Sequence, residues 1–504
     1  MPYLALSRSA TDRDAGRRGE PYLLDHLAAD PTTRVVLVDA RGRVAVQAGP
    51  VPLGADLPQD GLTPPDTLLP ASATSERVRL APLVAADLGG WANPAATHAS
   101  GRRVGAALAR ARARLATALG VDPHEVLLTS GGTEADALVV SGRVLAARAQ
   151  GTRGTVTHTA AGSRAPGTRH EDHHAPGTGK RRVPTGSGAG DCTPRLVVSP
   201  TEHPAVLDSA RTAVAHLGAE LDLLAVDAAG RVLPGSLAEA VSPGGNRPPA
   251  ALVSVMAANN ETGVLQDVGG LVRVVREATG AHRPTDPGYV PVHCDAVAAL
   301  GKVPVRFGSW GLDAMSVTGH KIGAPVGTGA LVARRDLTLV TATGGGRQER
   351  GIRSGTQDVV GARALALAVE LAVAEQVEES RRLEVLRSRL LQGACALEGV
   401  HATLPADAPH LPTTAHLWFE EVDTEALLMA LDMGGVDVSA GSACHAGVIR
   451  PSHVLEAMGL GEGPARSTLR CSMGWSTTAD DVERLLAALP AALDTARRGY
   501  SAGW

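Results

Sequence analysis

Only three lysines occur among the 504 residues, at positions 180, 302 and 321, so a reaction that needs a lysine amine has few candidates. Lys321 follows the apolar run AMSV and precedes the glycine-rich segment IGAPVGTG. A lysine just past a buried strand projects from the sheet edge into the crevice where α/β proteins bind ligands. Its amine could form a covalent Schiff base there. The alternative is a surface lysine whose stem lies along apolar neighbours.

Two more polar positions lie at the ends of predicted strands. Asp295 ends the strand VPVHCDA, where a buried carboxylate could pair with the protonated nitrogen of a pyridine ring and keep that ring an electron acceptor. A helix cap is the alternative for Asp295. The segment TSGGTE at 129–134 joins a strand to a helix, and its glycines and free N–H groups favour a phosphate. A tight turn is the alternative for this segment.

The cysteines are five in number, scattered and without CxxC spacing, which fits neither a disulfide framework nor a zinc ribbon. Cys444 is surrounded by the small residues of GSA and AG, a composition typical of a mobile loop that could carry a thiol. The alternative for a lone cysteine is a small buried hydrophobe. We interpret Cys294, Cys395 and Cys471 in that way, because they lie in strand or helix patterns.

The elements that must position these residues alternate between strands and helices. A helix is predicted from a cap at Ser100 to a stop at Gly120, with Val104, Leu108 and Leu115 on one apolar face. Strands are predicted at VLLTS, LVVSP, ALVSVM, VPVHCDA and AMSVTG. This alternation predicts an α/β fold with a mostly parallel sheet covered by helices. From about residue 361, two long helices flank a strand-like region, which indicates a smaller α+β domain.

Composition divides the chain into an N-terminal module with a Pro/Gly-rich linker (1–78), a large domain (79–360) and a small C-terminal domain (361–504). The N-terminal module contains the strand-like segments RVVLVDA and RVAVQA. Residues 150–194 have almost no large apolar side chain and are predicted to be a disordered surface insertion. Its residues His170, His173, His174 and Cys192 could bind a metal, but their irregular spacing imposes no coordination geometry, so no metal site is predicted.

Net charge and the distribution of apolar residues narrow the kinds of function that this chain can have. The net charge of −4 argues against nucleic acid as a main partner. No apolar run reaches the roughly 18–20 residues that span a membrane. The first residues carry no basic-then-apolar signal pattern, so a cytoplasmic location is expected.

Taken together, the motifs resemble the class V aminotransferase family, and more closely its cysteine desulfurases. The resemblance runs in family order from about residue 83 to 495 and is carried by TSGGTEADAL, TEHPAVLDSA, MAANNETGVLQDV, HCDAVAALGK, SVTGHKIGAPVGTGAL, GGGRQERGIRSGT, SAGSACHAGVIRPSHVLEAMGL and LRCSMGWSTT. It implies the PLP-dependent transferase fold type I, pyridoxal 5'-phosphate (PLP) as cofactor and a homodimer. It also implies conversion of L-cysteine to L-alanine, with the sulfur passing to an acceptor protein for iron–sulfur cluster assembly or tRNA thiolation.

The resemblance also implies residue roles. Lys321 corresponds to the lysine that holds the cofactor covalently, and Cys444, within GSAC, to the persulfide cysteine of the long-loop group. His203 corresponds to the imidazole stacked on the cofactor ring, and Asp295 to the partner of the ring nitrogen. The phosphate is implied to be bound by Gly132, Thr133, Thr318 and His320, and the phosphate of the other subunit by Thr356. The substrate carboxylate is implied to be bound by Asn260 and Arg470.

Three departures from the family pattern stand out. Ala298 occupies the position of a glutamine that would hydrogen-bond the phenolic oxygen of the cofactor. The opening strand YLDxAATTP has no equivalent directly before residue 83. Residues from about Leu6 to Leu69 instead resemble the N-terminal domain of NAD(H) pyrophosphatases, without the metal-binding box that this activity needs.

Two alternatives remain open from the sequence. One is a selenocysteine lyase or another class V activity, against which the GSAC motif argues. The other is a catalytically impaired protein that acts as a binding partner, suggested by Ala298, the missing first strand and the N-terminal module.

Overall fold

A computed structural model describes residues 92–152, 193–244, 249–440 and 451–501, together with two short strands near the N-terminus. These are β1 (Val35–Val38) and β2 (Val44–Ala48), which pair antiparallel and confirm the two strand-like segments predicted there. The predictions for the rest of residues 1–91, for residues 153–192 and for Cys444 lie outside the described residues.

A seven-stranded sheet forms the larger part of the described structure. Its strands are β3 (Val126–Thr129), β4 (Arg195–Val198), β5 (Glu220–Leu223), β6 (Ala250–Ser254), β7 (Val292–Asp295), β8 (Ala314–Thr318) and β9 (Gly329–Ala333). They lie in the order β3-β9-β8-β7-β6-β4-β5. All neighbours pair parallel except β9, which runs antiparallel to both β3 and β8. The predicted α/β fold with a mostly parallel sheet is therefore confirmed.

Helices cover both faces of this sheet, so its central strands are buried along their whole length. The helices are α1 (Ala99–Leu119), α2 (Gly132–Thr152), α3 (Pro204–Leu217), α4 (Pro234–Val241), α5 (Val268–Thr279) and α6 (Phe307–Trp310). One hydrophobic cluster includes α1, α4 and α5, and a second includes α2 and α3. Single turns of 3-10 helix lie at Pro123–Glu125 and Glu349–Gly351.

Helix α1 has the predicted apolar face, since Val104, Leu108 and Leu115 are all buried. It ends at Gly120, whose φ of 67° is the left-handed conformation that glycine adopts without steric cost. The predicted cap at Ser100 is wrong. His98 caps the helix instead, because its Nδ1 accepts a hydrogen bond from the backbone N–H of Gly101 at 3.2 Å.

A second, antiparallel sheet follows near the C-terminus, with strands β10 (Val400–Ala402), β11 (Thr414–Phe419) and β12 (Thr468–Ser472). Its helices are α7 (Val359–Ala394), α8 (Thr424–Met433), α9 (His453–Ala457), α10 (Glu462–Arg466) and α11 (Ala479–Ser501). The C-terminal half of α7 packs with α8 and α11 in a hydrophobic cluster separate from those of the large sheet. The two long helices that flank a strand region are therefore confirmed, while the domain boundaries stay a prediction.

Two sequence interpretations need correction. Cys395 is exposed at the C-terminal cap of α7, not buried in the core, because the helix ends there. Cys294 and Cys471 are buried as expected. Helix α2 continues to Thr152, so residues 150–152, which were predicted to be disordered, are helical. Among the described residues, no helix is both long enough and apolar enough to cross a membrane.

Candidate active site

The strand-end residues singled out from the sequence meet at one edge of the large sheet. Asp295 at the end of β7 is paired with Ser316 of the parallel strand β8. Thr318 at the end of β8 and Thr129 at the end of β3 are both paired with Gly329 of β9, so they lie on either side of it. Sheet pairing thus brings the 129–134 segment and the segment leading to Lys321 together, although almost 190 residues separate them in the chain.

The junction between β3 and α2 is closely packed against the ends of β7 and β8. A Cβ atom at Gly132 would lie only 2.6 Å from Cγ2 of Val297, so a larger side chain would displace this turn. Thr133 is exposed in the first turn of α2, where backbone N–H groups are free to bind an anion. Oγ1 of Thr318 lies 3.0 Å from Nδ1 of His320. These residues form a cradle suited to a phosphate group.

Glu134 links this cradle to a second loop. Its Oε2 accepts a hydrogen bond from the N–H of Ser130 at 2.5 Å, and its Oε1 accepts one from Nε of Arg353 at 3.0 Å. Burial raises the pKa of Glu134, but these hydrogen bonds outweigh burial and leave the pKa lowered. Thr356 lines a small cavity together with Ser130 and Arg353. Contact of Thr356 with the phosphate of another subunit stays a prediction.

Two of the three lysines lie close together at this site. Lys321 follows β8 and is accessible to solvent, and partial burial and the nearby Arg470 lower its pKa. Lys302 donates a hydrogen bond from Nζ to the carbonyl oxygen of Ala298 at 2.9 Å. Burial and the charge of Lys321 lower the pKa of Lys302 to about 8. A lowered pKa leaves more of each amine neutral and nucleophilic, so the geometry must decide which lysine reacts.

His203 caps the N-terminus of α3 and is held in one orientation. Its Nδ1 accepts a hydrogen bond from the backbone N–H of Ala205 at 3.1 Å, which leaves Nε2 to carry the ring proton. Burial, Lys321 and His453 each lower the pKa of His203. The half-buried ring is therefore mainly neutral near pH 7, and it lies close enough to Lys321 to feel its charge.

Asp295 lies at the bottom of the site, with 3% of its surface exposed. Its Oδ1 accepts a hydrogen bond from the N–H of Val297 at 2.8 Å, a turn contact and not a helix cap. Burial raises its pKa to about 6. The group is thus mainly ionised above pH 7 and can pair with a protonated nitrogen.

Arg470 on β12 approaches the site from the C-terminal sheet. One guanidinium nitrogen, Nη1, donates to the carbonyl oxygen of Asn260 at 3.2 Å. Its Nε is buried and has no hydrogen-bond partner within the described part of the chain. The turn that carries Asn260 is fixed by Asn259, whose side-chain oxygen accepts hydrogen bonds from the N–H groups of Glu261 and Thr262. An unsatisfied guanidinium N–H beside a rigid turn is suited to a carboxylate ligand.

Both ends of the cysteine segment, residues 441–450, are anchored at this site, although the segment itself lies outside the described residues. Before it, Ser439 forms two backbone hydrogen bonds with Arg470, at 2.7 and 3.3 Å. After it, Oγ of Ser452 donates to Glu261 at 2.6 Å. His453 also lies within hydrogen-bond distance, at 3.0 Å, of the carbonyl oxygen of Glu202.

Three residues at the site were not singled out from the sequence: Asp136, Glu202 and Glu261. Acidic residues are usually exposed, so the pattern alone gave no reason to place the three carboxyl groups inside. A signal was nevertheless present, because Glu202 precedes His203 directly and Asp136 lies one helical turn after Gly132.

Comparison with known proteins agrees with this geometry. The family described as aminotransferase class-V matches residues 189–485. The "IscS-like cysteine desulfurase" of Mycobacterium tuberculosis (strain ATCC 25618 / H37Rv) is 40% identical over 407 residues, which cover 81% of this chain and 90% of that protein. Among solved structures, a "NIFS-LIKE PROTEIN" matches with a TM-score of 0.64 and 28% identity, covering 80% of this chain and 92% of that chain. DndA from Streptomyces lividans matches with a TM-score of 0.59 and 31% identity, covering 81% of this chain and 99% of that chain.

The sheet order, the strand-end residues and these similarities agree with one another. The chain therefore belongs to the cysteine desulfurases of the class-V aminotransferase family.

Proposed function

We propose that this cysteine desulfurase binds pyridoxal 5'-phosphate through Lys321, converts L-cysteine to L-alanine and receives the sulfur on Cys444 as a persulfide. The observation that supports this proposal most is the meeting of Lys321, His203, Asp295 and Arg470 around one sheet edge. Burial lowers the pKa of His203 and of Lys321 and raises the pKa of Asp295 to about 6, as the proposed roles of these three groups require.

The donor set fits PLP. The aldehyde requires an accessible amine, which Lys321 offers. The ring nitrogen requires a buried carboxylate, which Asp295 offers. The phosphate requires N–H groups and hydroxyls at a turn without bulky side chains, as at Gly132, Thr133 and Thr318. When bound, PLP draws electron density away from the α-carbon of the amino-acid substrate.

The chain's own residues then bind, orient and move protons. Arg470 and Asn260 hold the substrate carboxylate and fix the direction of the α-carbon–hydrogen bond. His203 packs beside the reacting centre without adding a charge, because its pKa is lowered. Lys321 takes the α-proton and later returns it, a task for which its lowered pKa suits it.

Sulfur transfer requires a thiolate near the bound L-cysteine. The Cys444 thiolate attacks the substrate sulfur, so a sulfur–sulfur bond forms and the substrate carbon–sulfur bond breaks. The electron pair of the broken bond stays on the carbon, which takes up a proton and leaves as L-alanine. Cys444 is five residues from Ser439, which is anchored to Arg470, so the chain between them spans at most about 18 Å and keeps the thiol within reach of the site.

The other described cysteines are poor candidates for this step. Burial raises the pKa of Cys471 to about 12. Burial and the charge of Asp295 raise the pKa of Cys294 well above its ordinary value. Cys395 is exposed at the end of α7, whose C-terminal half packs in a hydrophobic cluster separate from the large sheet, and partial burial raises the pKa of its thiol.

Ala298 offers no side-chain hydrogen bond to the cofactor, and its backbone oxygen is already bonded to Lys302. We therefore propose weaker control of the cofactor's proton than in relatives that carry glutamine, but not loss of PLP. A homodimer, a cytoplasmic location and a sulfur-acceptor protein serving iron–sulfur assembly or tRNA thiolation complete the proposal.

The test uses the purified full-length protein incubated with PLP and L-cysteine, with alanine and sulfide measured in the same samples. We expect alanine and sulfide (with a thiol reductant present) to accumulate in equal amounts. Alanine formed from selenocysteine but not from cysteine would identify a selenocysteine lyase. A protein that binds PLP but forms no alanine from either amino acid would be a catalytically impaired binding protein.

Arg470 gives a sharper test of substrate binding. Arg470→Lys is expected to raise KM for L-cysteine by roughly 10- to 100-fold, because a bidentate contact with the carboxylate is lost, at about 1.5–3 kcal/mol for a charged hydrogen bond. The measurement is steady-state alanine formation over a range of cysteine concentrations.

The matched control is Arg466→Lys, at an exposed arginine whose partner is Glu462 on the same helix. The control should leave KM unchanged. An unchanged KM in Arg470→Lys would instead remove Arg470 from the substrate site.

A further inference from the structure

Three carboxyl groups are buried together beneath the site. Asp136 on α2, Glu202 just before α3 and Asp295 on β7 have 1%, 0% and 3% of their surfaces exposed. Asp295 interacts electrostatically with both of the others. The proposed function gives a role to Asp295 alone, so Asp136 and Glu202 require an explanation.

The hydrogen bonds of Glu202 and Asp136 are incomplete. Oε1 of Glu202 accepts the N–H of Met256 at 2.5 Å, but Oε2 is buried without a partner in the described structure. Oδ1 of Asp136 is likewise buried without a partner, and the nearest basic atom, Nε2 of His293, is 3.5 Å away. Ser316 gives Asp136 one side-chain hydrogen bond, which lowers its pKa, but each of the two carboxyl groups keeps one buried oxygen without a donor. An ionised carboxylate in such a place would lack part of the hydrogen bonding that normally stabilises it.

No cation compensates these groups within the described ranges. His293 lies between the hydroxyls of Ser254 and Ser316, at 2.9 and 3.0 Å, and burial lowers its pKa to about 3, so its ring is neutral. The charged groups that act on Glu202 and Asp136 are other carboxyls. Burial and Asp295 raise the pKa of both groups well above the ordinary range, whereas burial raises that of Asp295 only to about 6.

We propose that Glu202 and Asp136 remain neutral carboxylic acids in the folded enzyme, so that the three carboxyl groups share a single negative charge, which Asp295 carries. Glu202 and Asp136 are then positioning residues, which shape the surroundings of Asp295 and keep it the one ionised carboxylate of the group. The inference rests on the proposed function for the role of Asp295. The protonation of Glu202 and Asp136 does not depend on the proposed function.

Infrared spectroscopy tests the protonation directly. The wild-type protein at pH 7–8 is expected to show carbonyl stretching bands of protonated carboxyl groups that shift in D₂O. Glu202→Gln should remove one band and Asp136→Asn another. Glu239→Gln, at an exposed glutamate of α4, is the matched control and should leave both. Absence of such bands from the wild-type protein would overturn the proposal even if a variant failed to fold, and so would bands that survive both substitutions.

The pH dependence of cofactor absorbance gives a second readout. Replacing a neutral acid by its amide changes no charge, so Glu202→Gln and Asp136→Asn should shift the apparent pKa of bound PLP by less than about 0.3. Asp295→Asn removes the charge itself and should shift that pKa by about 1 or more. A shift in Glu202→Gln as large as that in Asp295→Asn would overturn the proposal.

The two readouts separate this inference from the proposed function. The infrared bands require neither PLP nor turnover, so their presence in a protein that forms no alanine would refute the function and keep the inference. Normal alanine formation by a protein that lacks the infrared bands would refute the inference and keep the proposed function.

Discussion

Replacing Lys321 with alanine is expected to lower alanine formation from L-cysteine by at least about 1,000-fold, because in the proposed mechanism one amine both holds the cofactor and moves the α-proton. Covalent retention of PLP should be lost, while the fold should persist, since the Lys321 side chain is exposed and lies outside the hydrophobic core. Alanine release and cofactor absorbance after gel filtration are the measurements. Retention of wild-type turnover would show that another residue performs the proton transfer.

Lys302 is the matched control for this experiment. Lys302 lies beside Lys321, and its pKa is also lowered. Its Nζ, however, is hydrogen-bonded to the carbonyl oxygen of Ala298, and the residue does not directly follow a strand. Borohydride reduction followed by peptide mapping should label Lys321 in the wild-type protein and in Lys302→Met. A label on Lys302, or on Lys180 in the undescribed insertion, would refute the assignment.

Replacing Cys444 with alanine is expected to stop persulfide formation and to lower alanine release by at least about 100-fold, since a nucleophile is removed from the sulfur-transfer step. Cofactor absorbance and its response to added cysteine should remain, because Lys321, Asp295 and the phosphate cradle are untouched. The measurements are alanine release, persulfide trapping by alkylation and mass spectrometry, and absorbance titration with cysteine.

Cys395→Ala is the control for Cys444→Ala. Because Cys395 is exposed, it should react with alkylating reagents yet contribute nothing to turnover, so its variant removes background labelling without changing the rate. If Cys444→Ala forms alanine at the wild-type rate, a lyase that expels sulfur without a protein nucleophile becomes the better interpretation.

Much of the large sheet could be predicted because burial on both faces leaves a plain signal. The strands β3, β4, β6, β7 and β8 are buried along their whole length, and each was predicted. Strand β5 was missed because it is an edge strand, with the mixed sequence ELDL and partly exposed side chains. Strand β9 was hidden inside a glycine-rich run, and nothing local indicated that it would run antiparallel.

The candidate site could be predicted where a residue follows a strand, as Lys321 and Asp295 do, because strand ends meet at one edge. The start of α1 was less predictable, because His98 caps this helix and not Ser100. The buried pair Asp136 and Glu202 was least predictable. Their burial depends on contacts with β6, β7 and β8 that are distant in sequence, and acidic side chains give no local sign that they are inside.

The anchoring of residues 439 and 452 beside Arg470 and Glu261 has a kinetic consequence. Whatever conformation the intervening residues adopt, a thiol at 444 is tethered at an effective concentration on the order of millimolar or more relative to the bound substrate. Sulfur capture should therefore follow first-order kinetics in the enzyme–substrate complex and resist competition from free thiols at micromolar levels. A sulfur acceptor, by contrast, arrives by diffusion, so its concentration is expected to limit the overall flux once the persulfide has formed.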